Sequence, residues 1–131
     1  MKTITLEDYY QGRQRAYSGE WNASIESEAK TLLSRVNMLL SLFKQDVEGV
    51  ASGWRPPSYN NKVFNAAKKS KHMTGQAIDI KDEHTGFKDW CYDHQDLLSL
   101  CGLWMEHPAS TKQWCHLQSA PPASGRRVFF P

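Results

Sequence analysis

The clearest hydrophobic pattern in the chain begins after Ser24, where Ile25, Ala29, Leu32, Leu33, Val36, Leu39, Leu40 and Phe43 recur at helical spacing. Glu26 and Glu28 lie near the start of that run, where a helix dipole favours negative charge, so a long amphipathic helix is predicted. Ahead of it, Thr5 and Asp8 in TLEDYY match a capping box and predict a short helix ending near Gly12 or Gly19. Behind it, VEGVASGW reads as a strand running into a loop, and the prolines of RPPSYN stop regular structure. NKVFNAAKKSK is expected to form one helix of a few turns, and AIDIKD a short strand. After a loop over residues 83–86, FKDWCYDHQDLLSLC puts Phe87, Trp90, Cys91, Leu97, Leu98 and Cys101 on one helical face, with Gly102 as its C-cap. LWMEH and QWCHLQ flank the turn-rich PASTK and predict neighbouring antiparallel strands, and RVFF adds a last strand after PPASG. Helices first and strands mixed in later make an α+β pattern, with N-terminal helices packed on a mainly antiparallel sheet.

Composition narrows the function classes. With 131 residues, 40% of them hydrophobic, one domain over residues 1–131 can bury its own core, and no repeat or linker divides it. A monomer is expected. The net charge is only +2 and the 16 Lys and Arg are spread along the chain, so the basic patch of a nucleic-acid binder is missing; Lys68, Lys69 and Lys71 are the nearest approach to one. MKTITLEDYYQGRQRAY has no apolar signal region and no run is long enough to span a bilayer, which predicts cytoplasmic synthesis without a signal peptide and no membrane insertion. Cys91, Cys101 and Cys115 are odd in number and lack CxxC spacing, arguing against a disulfide framework and a thiolate zinc cage.

Candidate chemistry gathers in three stretches. In SKHMTGQAIDI, strand alternation turns Ile78 and Ile80 to the core and leaves Asp79 on the other face beside Ala77, while Gly75 lets the chain fold His72 back over Asp79. In QWCHLQ, His116 shares a face with Trp114 and Gln118, and Cys115 points inward with Leu117. Two imidazoles and a carboxylate are the N and O donor set of a catalytic zinc, which keeps its fourth position open. In SGWRPPSYN, prolines stiffen the loop after Arg55, whose guanidinium would grip a carboxylate or developing oxyanion. His84 and His94 read as solvated, Trp90 and Trp104 as core or cleft-lining, and Trp54 and Trp114 as neighbours of a peptide groove.

Taken in order, SGWRPPSYN, SKHMTGQAIDI and WCHLQ resemble the motifs of the zinc D-alanyl-D-alanine carboxypeptidases and L-alanyl-D-glutamate endopeptidases, including phage endolysins, which share a hedgehog-like fold. Ser70, His72, Gly75, Ala77 and Asp79 match the segment that supplies two zinc ligands in that family, and Trp114 and His116 match the segment that supplies the third. The resemblance implies Zn2+ on His72, Asp79 and His116, substrate binding by Arg55, Ser70 and Trp114, and peptidoglycan stem peptides as partners. It further implies action on the cell wall after lysis or from a virion. The small bacteriophage-encoded members are the most similar in layout.

One position departs from the family. The catalytic acid is commonly three residues before the last histidine, and Gln113 stands there instead; an amide cannot take a proton from water. Glu106, on the neighbouring predicted strand, is the expected substitute as catalytic residue, and His107 is the second candidate. Without either, the chain would be a catalytically inactive zinc-containing wall-binding or virion structural module.

Overall fold

A computed structural model describes residues 1–131. The periodic stretch forms the longest helix, α3 (Ala23–Leu42), capped by the Asn22 side chain and burying the apolar stripe from Ile25 to Leu40. Before it lie α1 (Leu6–Tyr10), with the expected Thr5–Asp8 capping box, and α2 (Arg13–Ala16). Then come β1 (Val50–Ser52), α4 (Pro57–Asn60), β2 (Ala77–Lys81), α5 (Phe87–Asp93), α6 (Gln95–Cys101), β3 (Trp104–Glu106), β4 (Trp114–Gln118) and β5 (Val128–Phe129). The protein is α+β: its strands make one mixed sheet in the order β1-β2-β4-β3-β5, antiparallel except for the parallel β3-β5 pair. No helix is long and apolar enough to cross a membrane.

One face of the sheet is sealed against the helices. Ile78 and Ile80 of β2, Met105 of β3, and Cys115 and Leu117 of β4 are fully buried with the α3 stripe and with Phe87, Cys91 and Leu98. Because side chains alternate along a strand, the residues next to these along each strand project from the opposite face, which the helices leave open.

Three local expectations are corrected. NKVFNAAKKSK is not a helix: the helical turn lies one motif earlier, at Pro57–Asn60, with proline at the start of the helix where its missing N–H costs nothing. The following segment has no apolar stripe to bury, since Phe64 is 90% exposed, and Asn65 adopts a left-handed conformation (φ 59°). Asn60 Nδ2 closes the loop on the Ala67 carbonyl at 2.9 Å. The helix expected over residues 87–101 is two, because His94 leaves helical geometry (φ −127°, ψ 53°). Its Nδ1 bonds the Trp90 carbonyl at 2.7 Å and its ring stacks on Trp90, so His94 is half-buried rather than solvated. Trp54 lies inside the protein, not beside a groove: it is 0% exposed, and its Nε1 donates to the Met73 carbonyl.

Asp82 organises the entry to α5. Its carboxylate accepts from Thr85 N and Oγ1, Gly86 N and Lys88 N at 2.7–3.2 Å. Partial burial works to raise its pKa, but the hydrogen bonds from Lys88, Thr85 and Gly86 prevail and hold it below the ordinary 3.8. A depressed folded-state pKa gives stability that is fully present above 3.8 and lost as pH falls through the folded value. Asp82→Asn is therefore expected to cost about 1 kcal/mol at neutral pH, kept small by solvent screening. The difference between the two proteins should vanish in strong acid, as urea unfolding across pH will show.

Candidate metal centre

The open face of the sheet carries a row of side chains drawn from all five strands. Ser52 of β1 pairs with Asp79 of β2, and Asp79 pairs with His116 of β4. Met105 of β3 pairs with Leu117, so the next antiparallel position sets Glu106 beside His116, and Glu106 pairs in turn with Phe129 of β5. All five line one cavity of about 960 Å³, together with Arg55, Ser70, His72, Trp114 and Gln118. The expected metal ligands, the substrate-binding residues Arg55, Ser70 and Trp114, and Glu106 thus reach a single cavity, whereas His107 and Trp54 do not.

His72 enters it from a short turn, Lys71–Thr74, that lies over the sheet. Ser70 Oγ accepts from His72 N at the start of that turn, and Gly75 ends it in a left-handed conformation (φ 77°). A Cβ on Gly75 would stand 2.7 Å from the Ile25 carbonyl oxygen, so glycine lets the turn rest directly on α3. The turn is tied to the loop after β1 by Arg55 N donating to the His72 carbonyl and Trp54 Nε1 to that of Met73. Gly53 permits this: a Cβ there would lie 1.8 Å from the Tyr9 carbonyl oxygen.

The hydrogen bonds fix which nitrogen of each imidazole faces the centre. His72 Nδ1 lies 2.8 Å from the Gly53 carbonyl, which can only accept, so Nδ1 carries the proton and Nε2 presents its lone pair. Nε2 lies 3.2 Å from Asp79 Oδ2. Gln118 Nε2 donates to the Ala120 carbonyl, turning Gln118 Oε1 toward His116 Nε2 at 2.8 Å, and His116 Nδ1 faces Asp79 Oδ1 at 2.9 Å. Arg55 spans the remaining side, with Nε on Ser52 Oγ at 3.0 Å and Nη2 on Asp79 Oδ2 at 3.2 Å. Sequence reasoning missed Gln118, the Gly53 carbonyl and Ser52 as orienting groups; only the shared face of Trp114, His116 and Gln118 hinted at one of them.

The electrostatics separate the two histidines. Burial dominates at His72 and lowers its pKa despite Asp79. At His116 burial also acts to lower it, but the hydrogen bond and charge of Asp79, with Gln118 and Glu106 adding, hold it above an ordinary histidine. Asp79 stays ionised well below the usual carboxylate range, because His72 and His116 together overcome its burial. Burial pushes the half-buried Glu106 upward. With Nδ1 turned to the Gly53 carbonyl, His72 Nε2 and Asp79 Oδ2 face each other at 3.2 Å.

That arrangement fits a cation. His72, Asp79 and His116 each offer one donor atom, all within 4.8 Å of one another, and this buried group can hold a metal ion. Both imidazoles are oriented from behind by protein acceptors, as metal-ligating histidines commonly are. A second grouping, Glu48, Glu83 and His84, is largely exposed, and Glu48 is already engaged by the backbone N–H groups of Glu83 and His84. His107 is committed elsewhere: its ring stacks on Phe130, it accepts from Ala109 N, and it does not line the cavity. Gln113 is exposed and also outside the cavity. No family model, curated protein or solved structure matches the chain.

Proposed function

We propose that this chain is a zinc-dependent peptidase that hydrolyses an amide bond in peptidoglycan stem peptides, as a D-Ala-D-Ala carboxypeptidase or an endolysin-type endopeptidase. The observation that carries the reading is the row Ser52, Asp79, His116, Glu106 with His72 over it from the Lys71–Thr74 turn, which brings a metal-competent trio and a free carboxylate to one cavity. The ordered likeness of its three motifs to hedgehog-like zinc peptidases supplies the substrate class. The chemistry provided by zinc in a two-histidine, one-carboxylate set is to make water nucleophilic near neutral pH.

The chain's own residues would do the rest. Glu106, with its pKa raised by burial, takes a proton from the attacking water as the new C–O bond forms. It returns that proton to the amine nitrogen as the C–N bond breaks, which leaves a carboxylic acid and an amine. Arg55 has further N–H donors beyond those on Ser52 and Asp79, available to a substrate carbonyl or carboxylate. Ser70 holds the His72 turn, and Trp114 lines the cavity where a peptide would lie.

Mass spectrometry of fragments released from purified peptidoglycan tests the reading, run with zinc and again with a chelator. Release that the chelator stops is expected, and the fragment masses would name the bond cut. A zinc-loaded protein that releases nothing would favour the inactive wall-binding or virion module instead.

A further inference from the structure

The walls of the cavity are not electrically balanced. Besides His72, His116 and the last residue, Pro131, its charged lining consists of the cations Arg55, Lys69, Lys71 and Lys112 and the anions Asp79 and Glu106. Arg55 and Asp79 are paired with each other. Lys69, Lys71 and Lys112 are exposed, and none of their ammonium groups is paired with a carboxylate. They come from two separate segments: Lys69 and Lys71 from the loop that delivers His72, and Lys112 from the turn that leads into β4 and His116. A cavity ringed by unpaired cations near a reactive centre attracts anions and fixes their orientation before chemistry.

We propose that Lys69, Lys71 and Lys112 form an anion-reading rim that makes this cavity prefer stem peptides whose γ-linked D-glutamate carries a free α-carboxylate over the same peptides with that carboxylate amidated. The inference rests on the peptidase reading and adds to it a selectivity that the zinc ligands do not supply. An amide keeps the size and shape of the carboxylate but loses its charge, so three exposed lysines would discriminate between the two by electrostatics alone. Exposed ion pairs are individually weak, which makes the expected preference modest and dependent on salt.

The test uses two synthetic stem pentapeptides, one with the free α-carboxylate of its γ-linked D-glutamate and one with that group as a primary amide. Binding to the zinc-loaded Glu106→Gln protein is read by fluorescence anisotropy, and cleavage by the unaltered protein is read in parallel. The free acid is expected to bind about fivefold tighter at low ionic strength, with the preference fading at high salt. Combined Lys69→Met, Lys71→Met and Lys112→Met should bring the two peptides to parity. Equal cleavage and equal binding of both peptides would overturn the rim while leaving the peptidase reading intact. Failure to bind or cleave either peptide would overturn that reading and the rim with it. Displacement of the acidic peptide by short duplex DNA at equal charge concentration would overturn the rim as a peptide selector.

Discussion

Glu106→Gln is expected to lower turnover of a stem-peptide substrate by roughly 10²- to 10⁴-fold while the chain keeps its metal. The substitution preserves side-chain size and leaves His72, Asp79 and His116 untouched, so it removes little besides the ability to accept a proton. Glu106 is placed for that role by strand register: it follows Met105, whose partner is Leu117, and so comes beside His116 on the open face. Burial raises its pKa toward the range in which a carboxylate both takes and returns a proton. No neighbour is positioned to replace it, since His107 is stacked on Phe130 and Gln113 is exposed outside the cavity. Unchanged turnover with zinc retained would remove Glu106 from the mechanism.

Asp79→Ala is expected to abolish metal binding and to destabilise the metal-free protein by about 3 kcal/mol. Asp79 is the counter-charge of the centre: Arg55, His72 and His116 all approach its two carboxylate oxygens within 3.2 Å. Its removal leaves the largely buried guanidinium of Arg55 without its counter-charge. That guanidinium cannot escape by losing a proton, and this sets the size of the effect. Asp79→Asn, which keeps shape and one acceptor, should cost less while still losing metal. Denaturant unfolding without metal measures both, and a cost below about 0.5 kcal/mol for Asp79→Ala would mean that the trio is not held as described.

The parts of this architecture that were legible in the sequence are those written in local spacing. The α3 stripe, the Thr5–Asp8 box and the inward pair Ile78 and Ile80 each follow from a helical or strand period within one segment. Asp79 and His116 were legible as neighbours for the same reason, because alternation places each on a definite face, whereas His72 was expected over Asp79 from the Gly75 turn. What remained hidden depends on register between distant segments, which no local pattern encodes. The pairing of Ser52 with Asp79 and the delivery of the Gly53 carbonyl to His72 belong to that class. The break at His94 was hidden for a different reason, because a side-chain bond to the Trp90 carbonyl competes with the helix that the apolar face alone would continue. Trp54 misled because proximity in sequence to Arg55 says nothing of direction: the two residues are adjacent and face opposite sides of the loop, one into the core and one into the cavity.

The most direct test of the account is the zinc content of the purified protein, measured by native mass spectrometry after dialysis against metal-free buffer and addition of one equivalent of zinc. The predicted result is about one zinc per chain in the unaltered protein and none in Asp79→Ala or His116→Ala. Zinc bound equally by all three proteins, or by none of them, would contradict a metal centre built on His72, Asp79 and His116.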